Sequence, residues 1–79
     1  MRRFQLTVER APGALERVLG VARRRGLGVE SLDVKAQPEG TWRVSIEAGV
    51  SPGDASLALR QFAALVNVRH AALEEMLTE

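Results

Sequence analysis

Cysteine is absent from this 79-residue chain, so disulfide staples, thiol nucleophiles and zinc knuckles are excluded. Its absence fits a reducing, cytoplasmic setting. There is no tyrosine and one histidine, and neither His70 nor the acidic residues fall in a spacing that builds a metal site. The expectation is a chain that is not an enzyme. Charge of one sign is also lacking: 11 Lys and Arg against 10 Asp and Glu leave a formal net charge of +1. That is too little to attract nucleic acid or an anionic membrane in general. No apolar run approaches the ~18 residues of a membrane span, and Met1-Arg2-Arg3 leads into an alternating strand, not a signal-peptide core. No nucleic acid, no membrane and a cytoplasmic location are expected.

What is present is a foldable chain, 46% apolar, with room for one domain over residues 1–79. A chain this short buries only ~60–65% of its unfolded surface, so oligomerisation or docking on a larger partner is expected to supplement its core.

The apolar residues Phe4, Leu6 and Val8 alternate with Gln5, Thr7 and Glu9, the pattern of a strand with one wet face. Arg10-Ala11-Pro12-Gly13 is a turn, with Pro12 suited to the first helical position because it lacks the N–H that would be unpaired there. Between Ala14 and Arg25, Leu15, Val18, Leu19 and Ala22 recur at helical spacing. Gly20 inside this helix is read as a place where a strand approaches closely. Arg23, Arg24 and Arg25 suit the negative end of the helix, and Gly26 suits a left-handed cap. A second strand spans Leu27 to Gln37. Its change of parity between Val29 and Leu32 predicts a bulge near Glu30-Ser31. Pro38-Glu39-Gly40 turns the chain into a third strand in which Trp42, Val44, Ile46 and Ala48 share one face. Ser51 caps a second helix, with Pro52 at its first position and Asp54 near its positive end. This helix runs to about Leu65, with Ala55, Ala58, Leu59, Phe62, Leu65 and Val66 as its apolar stripe. A fourth strand is placed from Val68 to Glu74, and the last few residues are expected to fray.

The order βαββαβ predicts an α+β fold of ferredoxin-like type. It has an antiparallel four-stranded sheet of order 4-1-3-2 with both helices on one face. Strands two and four are edges, and pairing of strand two with its copy in a second subunit would remove one of them. RNA-recognition domains share this topology. Their exposed aromatics are replaced here by Gln5, Thr7, Glu9, Arg43, Ser45 and Glu47, and Trp42 has core parity. The start of the first helix, with Gly13 permitting close approach and Arg10 adding charge, suits a carboxylate. Equally, Pro12-Gly13 serves as a compact connector. His70 and the carboxylates Glu9 and Glu16 read more simply as solvated side chains than as catalytic groups.

Val8-Glu9, Pro12-Gly13-Ala14-Leu15, Arg17-Val18, Arg25-Gly26, Val29-Glu30-Ser31-Leu32 and Leu65-Val66-Asn67-Val68 together resemble the ACT domain of acetolactate (acetohydroxyacid) synthase small subunits. The likeness spans about Phe4 to Leu73. The Pro-Gly-x-Leu turn is general to ACT domains. The Arg-Gly-x-x-x-Glu-Ser-Leu and Leu-Val-Asn-Val runs are more specific to the synthase subunits.

The resemblance implies a dimeric regulatory chain with no active site or cofactor of its own, and the free edge described above places the homodimer contact at strand two. The chain would dock on and activate the acetolactate synthase catalytic subunit, which carries thiamine diphosphate, magnesium and FAD. It places an effector pocket at Arg10, Ala11, Pro12, Gly13, Ala14, Leu15, Gly28 and Val29. The valine-responsive pattern has asparagine where this chain has Arg10 and Gly28. That difference, and a single domain, are similar to the short, valine-insensitive isozyme II type. The alternative is a free-standing ACT module that senses an amino acid and acts on another enzyme or regulator.

Overall fold

The computed structural model describes residues 1–76. Six elements follow one another: β1 (Arg2–Glu9), α1 (Ala14–Arg24), β2 (Gly28–Gln37), β3 (Thr41–Gly49), α2 (Pro52–Ala63) and β4 (Val68–Glu75). The strands form one sheet of order β2-β3-β1-β4 with every neighbouring pair antiparallel. This is the expected 4-1-3-2 arrangement read from the other edge. The expected fraying concerns, in part, residues outside those described.

Alternation in β1 and β3 works as the sequence implies. Phe4, Leu6 and Val8 face Ile46, Val44 and Trp42 across the β1–β3 ladder, and Phe4, Leu6, Val8, Val44, Ile46 and Ala48 are buried beneath the helices. The Phe4 and Phe62 rings meet edge to face, 5.2 Å between centroids and 64° between planes, which links α2 to the central strand. Ser51 caps α2, its Oγ accepting from the Asp54 N–H at 3.2 Å. Two register shifts interrupt the ladders. One lies between Val29 and Ser31, leaving Glu30 unpaired at the expected bulge. The other falls in β4 opposite Thr7 and Val8, where Arg69 is the extra residue. It explains why Val68 and Ala71 point to the same side despite their odd spacing.

Several local expectations are corrected. Pro12 is not the first residue of α1. Gly13 is the N-cap at φ 79°, ψ −2°, and the Ala14 N–H donates to the Ala11 carbonyl at 3.1 Å. Pro12-Gly13 thus occupies the centre of a type II turn, which needs a left-handed residue after proline. Helix α1 ends at Arg24 with Arg25 as its cap, and Leu27 is buried ahead of β2. The buried stripe of α1 is Ala14, Val18, Val21 and Ala22, whereas Leu19 is exposed. Helix α2 stops at Ala63, so Val66, outside its stripe, is 82% exposed.

Gly20 does not admit a strand: a Cβ there would meet only Arg24 Nη1, at 3.3 Å. Because that atom ends a flexible side chain, Gly20→Ala is expected to stabilise the domain by about 0.5–1 kcal/mol. Chemical denaturation checks the sign; a loss of stability would restore the close-packing role.

Helix α2 lies over β4 and β1, and α1 lies over β1 and beside α2; β2 makes no comparable helix contact. Consequently every residue of β2 from Gly28 to Ala36 is exposed. This includes Leu32 and Val34, which stand opposite the buried Ile46 and Val44.

Candidate functional site

The β1–α1 connection is held by the chain itself. The Arg10 N–H donates to the Gly40 carbonyl at 3.1 Å, and Arg10 Nη2 donates to the Gln37 carbonyl at 3.2 Å. These bonds tie the turn to the β2–β3 hairpin. On the other side, Arg17 Nη1 donates to Asn67 Oδ1 at 2.8 Å. Its guanidinium lies so near Gly13 that a Cβ there would sit 3.4 Å from Arg17 Nη2. The Ala14 N–H is spent on the turn, so this helix start offers fewer donors than its sequence implies.

Arg10, Ala11, Pro12, Gly13, Ala14 and Leu15 are therefore gathered at the Glu9 end of β1. Arg10 and Pro12 are exposed, Ala11, Gly13 and Leu15 are half-buried, and Ala14 is buried. Gly28 and Val29 are not with them. They pair with Gly49 and Ala48, and Ala48 pairs with Arg2 at the beginning of β1. The two halves of the expected pocket stand at opposite ends of the sheet.

Beside the turn is a cluster the sequence reading did not assemble. Arg69 Nε and Nη2 both donate to Glu9 Oε2, at 3.0 and 2.9 Å. Asn67 Nδ2 reaches Glu9 Oε1 at 3.5 Å, and the Glu9 N–H donates to the Asn67 carbonyl at 2.8 Å. The Arg69 hydrogen bond, with Asn67 and the nearby guanidinium charge adding to it, holds the Glu9 carboxyl below the usual glutamate range. Asn67 thus joins Arg17 on α1 to Glu9 on β1. The one signal for this in the sequence is the broken parity at Val68–Ala71, because the bulge directs Arg69 back toward Glu9.

A second feature lies on the helix side. Leu15, Val18 and Leu19 of α1, with Leu32, Val34 and Val44 of the sheet, line an apolar recess of about 130 Å³. It adjoins the uncovered β2 edge. Of the titratable groups, His70 is exposed on β4. Among the described residues, no three His, Asp or Glu side chains converge as a metal-binding group, and no helix is long and apolar enough to cross a membrane.

No curated protein matches the chain by sequence. Its fold is shared with the ACT domain of a GTP pyrophosphokinase from Chlorobium tepidum, at 10% identity and a TM-score of 0.80, over 91% of this chain and 94% of that one. It is likewise similar to the small subunit of acetolactate synthase from Thermotoga maritima, at 22% identity and a TM-score of 0.81. That likeness covers 91% of this chain and 45% of that one. The regulatory subunit of aspartate kinase from Thermus thermophilus matches at 18% identity and a TM-score of 0.73, over 94% and 50% of the two chains. These likenesses concern the fold alone. The ACT domain family model matches residues 10–71, from the tied turn through β4, and with this ladder and helix order the chain belongs to the ACT domain family, whose members are regulatory modules.

Proposed function

We propose that the chain is a non-catalytic subunit that binds and activates the catalytic subunit of acetolactate synthase in branched-chain amino-acid biosynthesis, without feedback by valine. The observation that carries this reading is where the two synthase-like runs fall. Glu30-Ser31-Leu32 forms the bulge of β2, and Leu65-Val66-Asn67-Val68 leads into β4 with Asn67 bridging Arg17 and Glu9. Both runs have structural work at the irregular points of the sheet, which supports giving weight to their resemblance to the small subunits. The acetolactate synthase small subunit of Thermotoga maritima shares this fold.

One ACT domain over residues 1–79 acts in this reading as a homodimer through β2. A twofold-related copy laid antiparallel along the middle of β2 brings its Gly28 and Val29 beside the first protomer's Gln37, which Arg10 Nη2 already contacts. The dimer thereby joins the two separated halves of the effector pocket, and it covers the apolar recess. Arg10 and Gly28 supply no carboxamide there, which supports insensitivity to valine. Thiamine diphosphate, magnesium and FAD belong to the catalytic partner, and the assembly is cytoplasmic.

Adding the chain to a cognate acetolactate synthase catalytic subunit is expected to raise turnover several-fold and to yield a co-eluting complex, with no response to millimolar valine. Unchanged turnover together with separate elution would reject this function. Calorimetric titration of the chain alone with valine, leucine and isoleucine tests the alternative of a free-standing amino-acid sensor. Tight binding without the synthase favours the sensor.

A further inference from the structure

On the sheet face away from the helices, three cross-strand rows run through all four strands. Ser31, Glu47, Arg3 and Glu74 form the first, Asp33, Ser45, Gln5 and Ala72 the second, and Lys35, Arg43, Thr7 and His70 the third. In the first row Arg3 is shared between two carboxylates, 2.9 Å from Glu47 and 3.4 Å from Glu74, which leaves an excess of one negative charge at the Glu74 end. In the second, Ser45 Oγ donates to Gln5 Oε1 at 2.6 Å. Glu9, beyond the third row on β1, is taken by Arg69. The third row is different. Lys35 and Arg43 stand directly opposite each other, and neither has an ion-pair partner among the described residues, Asp33 included. Like charges so placed are unfavourable in the isolated domain. Between Arg43 and His70 lies a recess of about 250 Å³ whose floor is Gln5, Leu6 and Thr7, with Glu74 at one rim.

We propose that this row is the contact surface for an acidic segment of the regulated enzyme, an Asp or Glu carboxylate of which seats over Thr7 against Arg43. The inference rests on the regulatory-subunit reading and names the chemistry of its docking surface. A carboxylate over Thr7 relieves the Lys35–Arg43 repulsion and gains a guanidinium suited to two-point recognition. Glu74 repels an anion from the Arg3 end of the recess and so confines it to the Arg43 side. Lys35, Arg43 and His70 are exposed and Thr7 between them is half-buried, and a small free anion would meet cations screened by water and salt. A protein segment laid across the sheet excludes that water and strengthens the contact. Among the described residues the face carries no Phe, Tyr or Trp, and its one aromatic ring, the His70 imidazole, stands alone on the edge strand, short of the paired stacking platforms of RNA-binding sheets. Glu47 is already matched by Arg3, which makes Arg43 the side chain to test.

Two measurements decide it. In the first, the chain and the variants Lys35→Glu/Arg43→Glu and Arg23→Glu/Arg24→Glu are titrated into the catalytic subunit, with helicity and oligomeric mass checked for each. The sheet-face pair is expected to weaken binding at least roughly tenfold at about 0.05 M salt and less at about 0.5 M. The equal charge change on α1 should have little effect. Full affinity in the sheet-face pair overturns the proposal. In the second, the isolated chain is titrated with a hexaglutamate peptide and followed by NMR. Shifts centred on Thr7, Arg43 and His70 are expected; shifts centred on Arg23 to Arg25, or none, overturn it. Self-association beyond a dimer that Arg43→Glu abolishes would also overturn it, since a second copy would then occupy the face. The peptide arm contains no synthase. Failure of wild-type binding to acetolactate synthase alongside a mapped peptide therefore removes the assigned enzyme and leaves the acidic-segment surface standing.

Discussion

Phe62→Ala is expected to cost about 3–5 kcal/mol, the usual range for removing a fully buried aromatic side chain. Phe62 and Phe4 are both 0% exposed, and their edge-to-face contact joins α2 to β1. The other buried residues of α2 are small, Ala55 and Ala58, so the helix itself offers no second large buried side chain in place of the ring. A domain of this length has total stability on the order of 4–12 kcal/mol, so the substitution removes much of it and lowers the melting temperature by roughly 15 °C or more. Val66→Ala, at an 82% exposed position, should change stability by less than about 0.5 kcal/mol. Thermal unfolding of the two variants is the check. A small effect at Phe62 would mean that α2 is held to the sheet by contacts other than this ring. A double-mutant cycle with Phe4→Leu isolates the ring pair, expected to couple by about 0.5–1.5 kcal/mol.

The second large effect is expected at Leu32, on the free edge. Leu32 is 44% exposed within one protomer and lines the apolar recess between α1 and β2. Leu32→Glu should leave the fold of the protomer intact. In the proposed dimer the same position is covered, and by symmetry two unpaired carboxylates would be placed against apolar surface, which is costly. Dissociation of the dimer is expected to rise by roughly 100-fold or more, read by sedimentation, while circular dichroism is unchanged. An unaltered dimer mass would exclude this edge. Proline at Asp33 or at Val34 gives a backbone test of the same edge. Successive residues of a strand direct their N–H groups to opposite sides, so one of these two substitutions removes only an outward N–H and with it a ladder bond to the second copy. The other breaks the β2–β3 ladder and should unfold the hairpin.

Much of the architecture was legible in one dimension. Strict alternation in Phe4–Glu9 and Trp42–Ala48 identifies two strands and their inner faces, because side chains in a strand alternate sides regardless of what surrounds them. Ser51-Pro52 states a helix start through its own cap and missing N–H. The parity break before Leu32 marks the β2 bulge. Pro12 falls outside α1 for an equally local reason: proline suits both the first turn of a helix and the second position of a type II turn, and only the left-handed φ of Gly13 distinguishes them.

What the chain by itself determined is therefore the list of elements, their order and the side of each that is apolar. Lateral cover was decided by tertiary structure. Leu19, Leu32 and Val34 have the periodicity of core residues, yet they are exposed because the helices lie toward β1 and β4 and leave β2 bare. Cross-strand register alone set Lys35 opposite Arg43 and joined Arg69 to Glu9. It likewise carried Gly28 and Val29 to the far end of the sheet from the Pro12-Gly13 turn. Periodicity is a property of each segment taken alone, fixed by local backbone geometry. Cover, charge pairing and pocket completion depend on segments tens of residues apart, and only the packed sheet and helices specify which of them meet.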